Sequence, residues 1–270
     1  MGHTRLGLLP KTRKWNRVVE IVAGRGLESY SVANSASHID VVAAQALNAA
    51  SATLTKAGND AGVRYSFYLL TQLALASRSQ QWRTLLARHG INLRDESTIF
   101  DLTAELQAAI DRHISDTSPG ATDFSEMAQQ ATGEALTSLL GSPTFGLFES
   151  TEPDDLKNAV RSLSSKRGFA QLGQRFFSRF IARFLNFYLS RATAGELGAP
   201  RLQNLGDIGE FNAALTLHCE ESARIVRDFC GDWYSKTNYA GGIDLSKSSR
   251  FLAVAVRKLR NELQLQGSDS

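Results

Sequence analysis

The stretch GFAQLGQRFFSRFIARFLNFYLSR at residues 168–191 decides the fold. Phe169, Leu172, Phe176, Phe180, Phe184 and Tyr188 recur every three or four residues, the repeat of one helix face. Phe177, Ile181 and Leu185 widen that face beyond the stripe of an ordinary surface helix. So wide a face suits a central helix with neighbours on several sides. Arg175, Arg179 and Arg183, spaced by four, form a basic ridge on the remaining side. A second reading of the same residues is a peripheral helix, since a basic, aromatic amphipathic segment can lie in a bilayer interface. Core packing is the expectation. The arginines then either pair with acids from other helices or form a ridge for a partner.

Outward from this segment, helical spacing recurs along the chain and alternation with a period of two is almost absent. Trp15, Val18, Val19 and Val22 predict a short first helix stopped by Gly24. An alanine-rich segment at 35–56 predicts a second, because alanine has the highest helix propensity. Further helices are expected at 63–76, at 82–89 before Gly90, at 97–113 with Ser97 as its cap, and at 124–140 before Gly141. Thr151, Glu152, Pro153, Asp154 and Asp155 read as another helix start. Segments 208–234 and 245–263 complete the set, joined by a loop containing Gly241 and Gly242. Five prolines in 270 residues impose few helix breaks. The fold class is therefore all-α, and the expectation is a compact bundle of about eight or nine helices. The turn-forming run SDTSPG at 115–120 predicts a boundary between an N-terminal half, 1–118, and a C-terminal half, 119–270.

Hydrophobic residues make up 43% and charged residues 21%, values that allow a sizeable core and argue against wholesale disorder. A net charge of +3 is too small to point to nucleic acid. Its distribution says more. Arg5, Lys11, Arg13, Lys14 and Arg17 precede the first acid, Glu20, and Lys247, Arg250, Arg257, Lys258 and Arg260 run without an acid between them. These basic ends are either solvated faces or a surface for phosphates or acidic partners. Lys11, Arg13 and Lys14 join Arg175, Arg179 and Arg183 as candidate binding residues; a protein partner is expected first, nucleic acid second. The two cysteines, Cys219 and Cys230, do not make a disulfide framework and read as buried thiols of a reducing compartment. No run of 18 apolar residues predicts a membrane span. The apolar part of the first 15 residues is short for a signal peptide, and Leu6 stands where a myristoylation motif has Ser or Thr. The cytoplasm is the default expectation.

Patterns for a phosphate loop, a dinucleotide fold, a nucleophile elbow or a zinc knuckle are not found. The best chemical cluster is His218-Cys219-Glu220-Glu221. His218 and Glu221, one turn apart, are the fallback ligands for a metal or substrate, and Cys219 a nucleophile if a histidine elsewhere activates it. The simpler reading pairs Glu220 and Glu221 with Arg224 along one helix and places Cys219, Val226, Cys230 and Trp233 in the core. On that reading no catalytic residue, metal or cofactor is expected.

The opening MGHTRLG at residues 1–7, the LPKTRKW at 9–15, the Ser190-Arg191 end of the Phe-rich segment and the stretch 218–233 resemble an all-helical bacterial family of uncharacterised proteins. The resemblance covers about a quarter of the chain. It implies a component of multi-gene operons in phage-defence or mobile-element neighbourhoods, and it brings no catalytic residues. The leading expectation is a non-catalytic interaction protein, a subunit or adaptor of a bacterial multi-protein system. A helical enzyme around His218, Cys219 and Glu221 and a membrane-bound protein using the Phe-rich helix are the alternatives.

Overall fold

The computed structural model describes residues 10–25, 35–117, 120–141 and 155–266. Of these, 79% are helical, in twelve α-helices, and no strand occurs among the described residues. The all-α class is therefore shown, and the expected count of eight or nine is too low. The helices are α1 (Arg13–Val22), α2 (Ser35–Ala49), α3 (Ser51–Ala57), α4 (Ala61–Ala76), α5 (Trp82–Ala87) and α6 (Ile99–Thr117). They are followed by α7 (Asp123–Leu140), α8 (Asp155–Ser162), α9 (Lys166–Gly195), α10 (Leu205–Ser222), α11 (Arg224–Tyr239) and α12 (Leu245–Gln266).

Two of the extra helices arise by division of expected single ones. The alanine-rich segment breaks at Ala50, whose backbone (φ −96°, ψ 7°) leaves the helical region. The segment expected at 208–234 breaks at Ala223. There the Ser222 hydroxyl donates to the His218 carbonyl at 2.8 Å, and the Val226 N–H closes a tighter bond to Ala223 at 3.1 Å. A serine bonding back to the preceding turn bends a helix without any Gly or Pro to mark the place. The cap of α6 is Thr98 rather than Ser97. Thr98 Oγ1 accepts from the Asp101 N–H, and Asp101 accepts in return from the Thr98 N–H at 2.7 Å. Thr151 and its following residues lie outside the described residues, as do Ser118 and Pro119 of the expected linker. Helix α6 runs through residue 117.

Helix α9 occupies the centre. Helices α7, α10 and α11 pack along it, and α1 and α2 also touch it. Phe169, Phe176, Phe177, Phe180 and Phe184 are all at most 1% exposed. Phe67 of α4 reaches across to this face, with ring centroids 6.1, 5.6 and 5.4 Å from Phe169, Phe176 and Phe177. On its other side Phe67 stacks on Phe251 of α12 at 5.5 Å, and Trp233 of α11 lies 5.9 Å away. Farther along α9, Tyr188 stacks on Trp15 of α1 at 4.8 Å. Helix α4 also packs on α7 and α12, and buried apolar side chains from both sides of residue 118 belong to a single cluster.

Helix α11 lies close against α9. A Cβ on Gly173 would sit 2.5 Å from the Cys230 sulfur, and one on Gly231 would sit 2.6 Å from the Lys166 carbonyl oxygen. Two helices meet this closely only where one of them presents no side chain at the contact. The aromatic face of α9 is therefore enclosed by protein, and no described helix is long and apolar enough to cross a membrane.

Each of Phe176→Ala, Phe180→Ala and Phe184→Ala should destabilise the fold by about 3–5 kcal/mol, because truncation removes buried area and leaves a cavity. A domain has only about 5–15 kcal/mol to lose. Denaturant unfolding should show large midpoint shifts; midpoints equal to wild type would show that this face is not the core.

Candidate functional site

Charge is segregated by helix around the centre. Helix α9 carries Lys166, Arg167, Arg175, Arg179, Arg183 and Arg191 and no acid. Its neighbour α7 carries Asp123, Glu126 and Glu134 and no Lys or Arg. On the other flank α10 carries Asp207, Glu210, Glu220 and Glu221, again without Lys or Arg. The arginine ridge therefore runs between two acidic walls. Arg183 forms an ion pair with Glu134 and donates to Gln130, both on α7. Arg175 forms an ion pair with Glu220 on α10. Arg179, between them and half-buried, makes no ion pair or hydrogen bond among the described residues.

Arg179 opens onto a groove of about 610 Å³ between the three helices. From α7 it is lined by Asp123, Glu126, Met127, Gln130 and Glu134; from α9 by Arg179, Arg183, Asn186, Phe187 and Ser190; from α10 by Asn212 and Thr216. Three buried polar atoms here have no partner: Arg183 Nε, Asn186 Oδ1 and Asn212 Oδ1. Buried polar groups normally find partners, but these three atoms have essentially no accessible surface, so they are enclosed beside the groove and do not face it.

The structure places the other sequence-derived candidates elsewhere. Lys11, Arg13 and Lys14 are exposed around the start of α1, whose cap is Thr12, and none of them lines the groove. Lys14 donates to Asn48 Oδ1 at 3.1 Å. The basic C-terminal residues are partly engaged: Lys247 donates to the Gly242 carbonyl at 2.8 Å, Arg260 to Ser51 at 3.2 Å, and Lys258 sits 5.0 Å over the Phe229 ring.

His218 is buried on α10, and its Nδ1–H donates to Asp40 Oδ1 of α2 at 2.8 Å. Its Nε2 is closed in without a partner. Burial lowers the His218 pKa, while Asp40 and Glu221 push it the other way. Burial raises the Asp40 pKa; His218 opposes and Glu221 adds to that rise. Glu221 itself is exposed. The dyad is a tie between α2 and α10 whose second nitrogen faces protein. Cys219 is fully buried, and burial pushes its thiol up to about 12, far from the range of a reactive thiolate. Burial raises the Cys230 thiol in the same way. No group of three or more His, Cys, Asp or Glu that could hold a metal occurs among the described residues.

The ridge was legible in the sequence; its walls were not. Asn186, Asn212, Gln130 and Thr216 carry no motif. The available signal was the absence of Lys and Arg from 123–140 and 205–222. No protein-family profile, curated protein or solved structure matches this chain.

Two predictions follow from these environments. A thiol-reactive disulfide reagent should leave native protein unlabelled and modify both cysteines after denaturation; fast native labelling would contradict their burial. His38, buried and facing Arg201, has its pKa lowered from 6.5 to about 4, burial being the larger cause. The unfolded chain binds a proton at His38 that the folded chain refuses, so this stability is full above pH 6.5 and is lost as pH falls toward about 4. The shift at His218 has the same direction. The melting temperature should drop across that window, less steeply in His38→Gln; a flat profile in wild type would refute the assignment.

Proposed function

We propose that this chain is a non-catalytic helical interaction protein, a subunit or adaptor that docks a protein partner over the groove between α7, α9 and α10. The observation that carries the reading is Arg179. It stands between two paired arginines, without a partner among the described residues, over a groove lined by charged and polar side chains. A charged, hydrogen-bonding surface already held in place by its neighbours orients a partner with little loss of freedom on binding. The state of the cysteines supports a binding role over a thiol-based enzyme, since Cys219 lacks thiolate character. Two free, buried thiols suit a cytoplasmic setting. A bacterial multi-protein system, phage defence included, rests on the resemblance of the opening residues and the other matching stretches.

The test is capture with paired baits. Arg179→Glu and Arg250→Glu change charge equally, the first in the groove and the second on an exposed part of α12. Both should unfold within about 0.5 kcal/mol of wild type, as surface substitutions do. A partner held by wild type and Arg250→Glu should be lost from Arg179→Glu. Identical captures on all three baits would remove the groove from the function.

A further inference from the structure

The start of α2 is seated beside the loop between α9 and α10 through His38. Its side chain is 6% exposed, and its Nε2 has no hydrogen-bond partner. Among the described residues, the charged group that acts on it is the guanidinium of Arg201, from that loop. Arg201 is also pressed against the end of α1, where a Cβ on Gly24 would sit 2.9 Å from its Cγ. Glu196 of the same loop is taken by Arg25. The end of α1, the start of α2 and the loop at 196–204 thus meet around an imidazole and a guanidinium, and among the described residues no carboxylate pairs with either. We propose that this junction is an acid-sensitive latch: a proton on His38 releases the first turns of α2 from the loop, while the bundle around α9 stays folded.

An imidazolium at this place brings a second positive charge beside Arg201, away from water. Both of its nitrogens are donors, and Nε2 has nothing to donate to. The opening is local because of where His38 stands. It is the fourth residue of α2, which begins at Ser35, so unwinding the first turns is enough to hydrate the ring. Later turns keep their seat through the buried Val42, Ala43, Ala46 and Leu47. Opening one helix end costs less than opening the whole fold. Asp40 stands two residues on and points away from His38, toward His218. As pH falls, the raised pKa of Asp40 favours the closed form and the lowered pKa of His218 opposes it; Glu221 raises both. That pair holds one proton whether it is neutral or ionic, so the response to acid falls on His38. Burial first and Arg201 second lower the His38 pKa from 6.5 to about 4. An opened first turn restores 6.5, so opening takes up a proton and grows as pH falls. Between pH 7 and pH 5 the opened population should rise about twentyfold.

The test is amide hydrogen exchange of the full chain at pH 7 and pH 5, each rate corrected for the chemical exchange of an open peptide. Amides at 39–44, which bond back into the first turns of α2, should lose protection about twentyfold between the two conditions. Those at 176–184 in α9 should change far less. In His38→Gln, which carries no proton at either pH, the α2 change should disappear. Arg201→Gln should lessen the change without removing it, because burial is the larger cause. The ring signals of His38 in wild type, read by nuclear magnetic resonance, should titrate below pH 5. Protection of α2 that is the same at both pH values would overturn the latch, as would an equal loss in His38→Gln. A loss in α9 in step with α2 would overturn it in favour of global unfolding, and a His38 ring titrating near 6.5 would show that the junction is not closed. If His38→Gln fails to fold, the wild-type profile, the ring titration and Arg201→Gln decide between these outcomes.

Discussion

Everything in this fold depends on enclosing the aromatic face of α9. Five buried phenylalanines on one 30-residue helix cannot be covered by a single neighbour, because a helix presents only a narrow stripe to each helix it packs against. The chain surrounds α9 with α7, α10 and α11, and sends Phe67 in from α4 to touch three of its rings. Phe67 in turn meets Phe251 and Trp233, which ties α12 and α11 to the same aromatic cluster. The tight seat of α11 needs glycine on both sides, at 173 and 231, where a single methyl would strike sulfur or a backbone carbonyl.

The same centrality explains the charge layout. A long helix with six cations and no acid cannot satisfy itself through pairs along its own face, so carboxylates must come from neighbours. Helices α7 and α10 are acidic and free of Lys and Arg, and they flank it. Their acids pair with the outer two arginines of the ridge and not with the middle one, which lines a groove between the three helices. The candidate site is thus a by-product of helix packing around the core as much as of the polar residues that line it.

Particular elements show where local sequence was sufficient. Thr12, Asp60, Thr122, Ser165 and Asn204 cap their helices with a side-chain oxygen on a backbone N–H, a choice written in a few adjacent residues. Ser97 and Thr98 are both competent caps, and the reciprocal bond from Asp101 selects Thr98. The divisions at Ala50 and Ala223 had no such mark, since apolar periodicity runs through both and no Gly or Pro interrupts it.

By itself the sequence determined the all-α class, the central place of the Phe-rich helix and the existence of the arginine ridge. Those follow from spacing and propensity, which act within a few turns of one helix. Only the tertiary structure decided which arginine is left over, that Asp40 finds His218, and that Asn186 and Asn212 share a groove. Such pairings depend on the rotation and crossing of helices far apart in the chain. Those are set by the fit of whole apolar faces, and no short stretch of residues encodes them.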